Sequence, residues 1–284
     1  MMLRRFQQVD VFGARPFAGN PLAVVLDAEG LSTGEMQDFT RWMNLSETAF
    51  ILPPTTDEAD YRVRIFTLSH ELPFAGHPTL GSCHAWLAAG GEPRDPGRIV
   101  QECGAGLVPI RREAGRLAFA APPLVRSGPV DEARVAAFAG VLGIGREEIV
   151  DVRWVDNGPG WVGILLADAD AVLAVEPDFG RYSGEDELDI GLVGLYPEGS
   201  ECAVEVRALF NDAHGAMIED PVTGSLNASL AQWLLGAGRL GAPYVASQGT
   251  RLGRSGRVFI DRGAGDTVWV GGATATCISG TVEL

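Results

Sequence analysis

The hydrophobic pattern of the chain changes period several times, and each change marks a predicted element. Residues 9–12 (Val-Asp-Val-Phe) alternate as a half-buried strand does, the turn-rich stretch 13–21 interrupts them, and the apolar run 22–26 predicts a second strand. From Ser32 the period becomes helical: Ser32 and Glu35 have capping-box spacing, and Met36, Phe39 and Met43 fall on one face, so a helix is predicted to end near Asn44. Strands are predicted over 48–52, 61–66, 99–108 and 117–120. A second amphipathic helix is predicted over 131–142, closed by Gly143. Residues 162–166 then open a second round of strands, and 258–260, 268–270 and 280–284 close the chain as strands. The last of these is a candidate to cross back and complete the first sheet.

Two uncharged segments carry the most information. The run Gly76-His77-Pro78-Thr79-Leu80-Gly81 onward to Gly90 can be laid on Gly224-Ser225-Leu226-Asn227-Ala228-Ser229 onward to Gly238, at an offset of 224 − 76 = 148. Neither run contains Asp, Glu, Lys or Arg, and Val63-Arg64-Ile65-Phe66 upstream echoes Val206-Arg207-Ala208-Leu209-Phe210. Self-similarity at so long a period indicates two related domains, not a solenoid. The predicted class is α+β: two similar domains from an internal duplication, each a mixed, curled sheet around a central buried helix. Residues 1–122 form the first, completed by the C-terminal strand if that strand crosses back, and 129–284 the second. A pseudo-twofold between the halves would aim both glycine-marked helix starts into one shared cleft.

Charge and composition narrow the partners. The net charge of −15 argues against nucleic acid and against an anionic membrane surface. Segments 72–91 and 221–238 lack charge but contain Gly, Pro and polar residues, which fits helices buried in a protein core and not membrane spans. Arg4 and Arg5 are followed by no apolar run, so no signal peptide is read and a cytoplasmic location is expected. Cys83, Cys103, Cys202 and Cys277 are scattered, which predicts reduced thiols, and without closely spaced Cys or His no metal site is expected.

Three constellations have the residue types for catalysis. Glu47, in Asn44-Leu45-Ser46-Glu47-Thr48, sits between a helix end and an apolar strand. Partial desolvation there would raise its pKa and let it both give and take a proton; the alternative is an ordinary exposed turn glutamate. In Glu71-Leu72-Pro73-Phe74-Ala75-Gly76-His77-Pro78, Gly76 permits close backbone approach, Pro78 suits a first helical turn, and the free N–H groups could hold a carboxylate. His77 beside them is either a proton carrier or a capping residue. In Glu219-Asp220-Pro221-Val222-Thr223-Gly224-Ser225, Asp220 and Ser225 are either site residues or simple helix-start groups. Ser225 lacks the G-x-S-x-G context of a hydrolase nucleophile. The stretch Gln248-Gly249 to Gly253-Arg254-Ser255-Gly256 is no P-loop; it predicts a tight inter-strand turn with Arg254 as a buttress.

These phrases, with Gly19-Asn20-Pro21-Leu22 before them and Val270-Gly271-Gly272 after, resemble the phenazine-biosynthesis PhzF-like isomerase family in their order along essentially the whole chain. The resemblance implies the diaminopimelate-epimerase fold, with Glu47 as general acid/base and His77 and Asp220 lining the site. Gly76, Gly224 and Ser225 would hold the substrate carboxylate. It also implies no cofactor and a homodimer. Epimerases of this fold carry a cysteine at each central helix start. This chain has none there, which disfavours a two-thiol racemase. Leu68-Ser69-His70 and Leu226-Asn227 depart from the family pattern. The expected activity is a cofactor-independent isomerase moving a proton between carbons of a small cyclic or conjugated carboxylate. The alternatives are a non-catalytic binding protein on the same fold, and an epimerase using Glu47 and Asp220.

Overall fold

The computed structural model describes residues 2–13, 15–113, 115–178, 188–211 and 216–284. The chain divides into two compact units, Met1–Ala120 with Gly271–Leu284, and Ala121–Val270. The first unit runs β1 (Leu3–Val11), β2 (Asn20–Val25), α1 (Thr33–Met43), β3 (Glu47–Leu52), β4 (Tyr61–Thr67), β5 (Glu71–Leu72), α2 (Gly76–Ala88), β6 (Arg98–Cys103), β7 (Gly106–Glu113) and β8 (Arg116–Ala120). β1 and β2 are antiparallel, β2 and β3 parallel across α1, and β3 and β4 antiparallel. β4 pairs antiparallel with the short β5 and parallel with β6 across α2, and β6, β7 and β8 follow as a meander.

The second unit runs β9 (Arg126–Pro129), α3 (Glu132–Leu142), β10 (Asp151–Asp156), β11 (Val162–Leu165), α4 (Ala169–Ala174), β12 (Ile190–Leu195), β13 (Val204–Asn211), β14 (Met217–Asp220), α5 (Gly224–Gly236), β15 (Tyr244–Gln248) and β16 (Gly256–Arg262), with β17 (Val268–Gly272) straddling the boundary. From β10 onward it repeats the pairings of the first. β10 and β11 are antiparallel, β11 and β12 parallel, β12 and β13 antiparallel, and β13 takes β14 antiparallel and β15 parallel. The duplication read in the sequence is thus repeated in the topology. The last strand, β18 (Thr274–Glu283), lies antiparallel along β1 in the first unit.

Local signals set the helix ends. The Ser32 hydroxyl accepts from the Glu35 N–H, the Glu35 carboxylate accepts from the Ser32 N–H, and α1 stops at left-handed Asn44 (φ 54°). α3 is capped by Asp131 and stopped by left-handed Gly143. Each sheet curls around its uncharged helix: α2 touches β1, β2, β3, β4, β6, β8 and β18. In the second unit, Leu230 and Trp233 press on Gly163 and Leu226 on Gly191, so the backbone of β11 and β12 comes close to α5. The opposite faces are covered by α1 through Met36 and Phe39, and by α3 and α4 through Phe138, Leu142 and Val172.

Two expectations need correction. The strand read over 99–108 is a hairpin, because Cys103 pairs with Gly106 and the turn between them uses the positive φ (100°) of Gly106. The second round of strands begins at β9 and β10, before residue 162. β10 shows little alternation, since half-buried Asp151 and Val152 and exposed Arg153 are followed by two consecutive buried residues, Trp154 and Val155. Among the described residues no helix is long and apolar enough to cross a membrane.

One tight contact gives a stability prediction. A Cβ on Gly194 would overlap the Asp168 carbonyl, where α4 begins against β12. Gly194→Ala is expected to cost about 1–3 kcal/mol, the usual range for overpacking. Urea denaturation would measure it, and an unchanged midpoint would mean that α4 shifts freely.

Candidate active site

In the first unit the end of α1 and the start of α2 bring two groups together. Asn44 turns the chain out of α1, and three residues later Glu47 opens β3 opposite Thr67. β5 delivers the chain to α2, whose N-cap, Ala75, offers no side-chain cap. His77, the second residue of α2, is buried, and its Nε2 lies 3.5 Å from Glu47 Oε2. Burial pushes the His77 imidazole down to about 3. The nearby carboxyl would favour an imidazolium, but desolvation of so enclosed a ring outweighs that attraction. The pair is therefore a neutral imidazole beside a carboxyl group, with its Nε2 making no hydrogen bond. Glu47 keeps 16% side-chain exposure, in line with the partial desolvation expected of it.

In the second unit, Asp220 ends β14 and is 6% exposed. Its Oδ2 accepts from the Thr223 hydroxyl at 2.5 Å. That hydroxyl is turned away from the helix start it precedes, so α5, like α2, has no side-chain N-cap. Gln248 holds the turn. Its Oε1 accepts from the Thr223 N–H (3.0 Å) and Asn227 Nδ2 (2.7 Å), and its Nε2 donates to the Asp220 carbonyl (3.2 Å) and Thr223 Oγ1 (3.0 Å). Such a network is stiff because each amide position of Gln248 is satisfied. Gly224 and Ser225 occupy the first two positions of α5, the places that Gly76 and His77 occupy in α2.

The structure thus brings Glu47, Gly76 and His77 together in the first unit and Asp220, Gly224 and Ser225 in the second. Asn227 belongs to the buried support network. His70 lies in the exposed turn before β5, with Nδ1 2.7 Å from Ser69 Oγ. The Arg254 N–H donates to the Gly249 carbonyl, which closes the tight turn predicted there. Sequence reasoning missed Gln248 as the support of the α5 turn, and it missed Asn157 and Trp161. Asn157 Nδ2 donates to the Ser225 carbonyl (2.9 Å), and Trp161 Nε1 donates to Ser225 Oγ (3.1 Å). The turn Asn157-Gly158-Pro159-Gly160-Trp161 was the available signal. A cavity of about 550 Å³ in the first unit, lined by Arg4, Arg5, Asp27 and Trp86 among others, contains none of these residues.

The family model described as "Phenazine biosynthesis-like protein" (PhzC-PhzF) matches residues 9–280. The chain belongs to this family. It is 35% identical to "Antisense-enhancing sequence 1" of Schizosaccharomyces pombe, covering 97% of both chains. It is 33% identical to a trans-2,3-dihydro-3-hydroxyanthranilate isomerase of Pseudomonas aeruginosa, covering 94% of this chain and 93% of the relative. The crystal structure of a Bacillus anthracis PhzF-family protein superposes with a TM-score of 0.82 over 100% of both chains at 22% identity, a likeness of fold. As a member of the PhzF-like family the chain is an isomerase with an epimerase-like α+β fold. Its cysteines are free, and none stands at the start of α2 or α5. Cys83 lies inside α2, where burial raises its thiol to about 12 and removes it from thiolate chemistry.

Proposed function

We propose that this PhzF-like protein moves a proton between carbons of a small cyclic or conjugated carboxylate, with Glu47 as the general acid/base and no cofactor. The observation that carries this reading is the 3.5 Å approach of Glu47 to the buried, neutral His77 at the uncapped start of α2. A carboxyl group takes the proton from one carbon and returns it to another. The neutral imidazole, whose Nε2 makes no hydrogen bond in the structure, would donate to or accept from the substrate without adding a charge. Uncapped first-turn N–H groups and the Ser225 hydroxyl favour a carboxylate. Asp220, fixed by Thr223, is the acidic group beside the start of α5 that would meet a polar substituent of a substrate bound there. The family resemblance further supports a homodimer.

The relatives named as trans-2,3-dihydro-3-hydroxyanthranilate isomerases make that compound the first substrate to try. Turnover in D2O should place one solvent deuterium at the newly formed C–H bond, read by mass spectrometry and proton NMR. Product formed in D2O without any deuterium, over repeated substrate concentrations, would count against a carboxyl group that exchanges with solvent and would point to direct internal return of the same proton.

A further inference from the structure

The Asn157–Trp161 turn is built with more care than a loop between two strands requires. At the end of β10, the Asp156 carboxylate accepts from the N–H groups of Gly158 (2.7 Å) and Gly160 (2.8 Å), and both glycines have positive φ (139° and 104°). The Val155 N–H donates to the Trp161 carbonyl across the base of the turn. The first unit holds its corresponding turn in the same way, with Asp10 of β1 accepting from the N–H groups of Ala18 and Gly19. The second unit adds two contacts to the start of α5. Asn157 Nδ2 bonds the Ser225 carbonyl, and the indole of Trp161, 3% exposed and edge-on to Phe210, bonds the Ser225 hydroxyl oxygen.

The chemistry of that second bond is directional. Indole N–H donates and never accepts, so Ser225 Oγ is the acceptor, and its own proton remains to be donated. A serine in the first turn of a helix otherwise tends to turn its hydroxyl onto nearby backbone groups. Asn157 fixes the backbone of the same residue, so both the Cβ position and the hydroxyl orientation are set before any ligand arrives. The geometry points to Trp161 and Asn157 as positioning residues that hold Ser225 as a hydrogen-bond donor to the substrate carboxylate. This inference rests on the reading of Ser225 as a carboxylate ligand given above. Preorganisation of this kind strengthens a bond by removing the cost of ordering it on binding.

A double-mutant cycle tests it, with anthranilate, a stable cyclic amino-carboxylate, as the calorimetric probe on the full chain. Ser225→Ala should weaken binding about 10-fold or more, as expected for a hydrogen bond to a charged group. Trp161→Phe keeps an aromatic ring against Phe210 and should weaken binding about 2- to 12-fold, the range for one neutral hydrogen bond. In the double variant the Trp161 effect should vanish, since there is no hydroxyl left to orient. Equal Trp161→Phe effects with and without Ser225 would overturn the positioning role while leaving Ser225 as a ligand. Unchanged affinity in Ser225→Ala would instead overturn the ligand reading and this inference with it. Should Trp161→Phe fold poorly, the indole proton resonance of Trp161 in the wild type serves instead. It should move and exchange faster in Ser225→Ala and be retained in Ser225→Thr; an indole signal indifferent to Ser225 overturns the proposal.

Discussion

Replacing Glu47 by glutamine is expected to lower turnover about 100- to 10,000-fold, the usual loss when a positioned acid/base is removed. The amide keeps the size and most of the hydrogen bonding of the side chain, so the fold should not change. Affinity for the substrate should barely move, because the proposed function gives Glu47 the transfer of a proton and not the holding of the carboxylate. The pH profile separates Glu47 from its neighbour. Burial holds His77 neutral down to about pH 3, so no activity transition near the ordinary histidine value should trace to it. An intermediate transition that survives in His77→Gln belongs to another group. Steady-state kinetics on trans-2,3-dihydro-3-hydroxyanthranilate, the first substrate to try, or on whichever substrate the enzyme turns over, is the measurement. Normal turnover by Glu47→Gln would make Glu47 a structural turn residue and move the search for the base to Asp220 or His77.

The duplicated architecture was legible in the chain because its most constrained parts are also its least ordinary. A helix without a charged face has no side to turn to water and so reads as buried, and the repeated Val-Arg phrase marks β4 and β13. Helix ends were legible where a side chain caps the start, as at Ser32 and Asp131, or a left-handed residue stops the end, as at Asn44 and Gly143. Short strands such as β5, β9 and β14 were not legible. Two to four residues give no period to detect, and their pairing is fixed by the long strands beside them. The candidate site divides in the same way. Glu47, His77, Asp220 and Ser225 stand in recognisable phrases, whereas Asn157, Trp161 and Gln248 reach α5 from 64 or more positions away, or from 21 in the case of Gln248 bonding Asn227. A contact between residues so distant in sequence leaves no local pattern.

The acidic pair Glu219-Asp220 divides its labour by strand geometry, and this sets the largest stability effect expected. Successive side chains of β14 point to opposite faces. Asp220 faces Thr223 at the start of α5, while Glu219 meets Arg207 in a bidentate pair, Nε to Oε1 at 3.1 Å and Nη2 to Oε2 at 2.9 Å. The two side chains are 3% and 10% exposed, and Arg207 also donates to the carbonyls of Val172 and Val175 at the end of α4. Arg207→Ala would leave Glu219 charged and nearly enclosed without its partner, at a cost of about 3–5 kcal/mol. The first unit supplies an internal control, because Arg64 of β4 and Glu71 of β5 form the same pair at the same place in the topology. There the side chains are 18% and 37% exposed, solvent takes over much of the charge, and Arg64→Ala should cost about 1 kcal/mol or less. Chemical denaturation of both variants decides between burial and sequence as the cause. Equal losses would show that the pairs owe their strength to a shared bidentate geometry and not to burial. A double variant, Arg207→Met with Glu219→Leu, should recover most of the lost stability, since an apolar pair of similar volume has no charge to strand inside the protein.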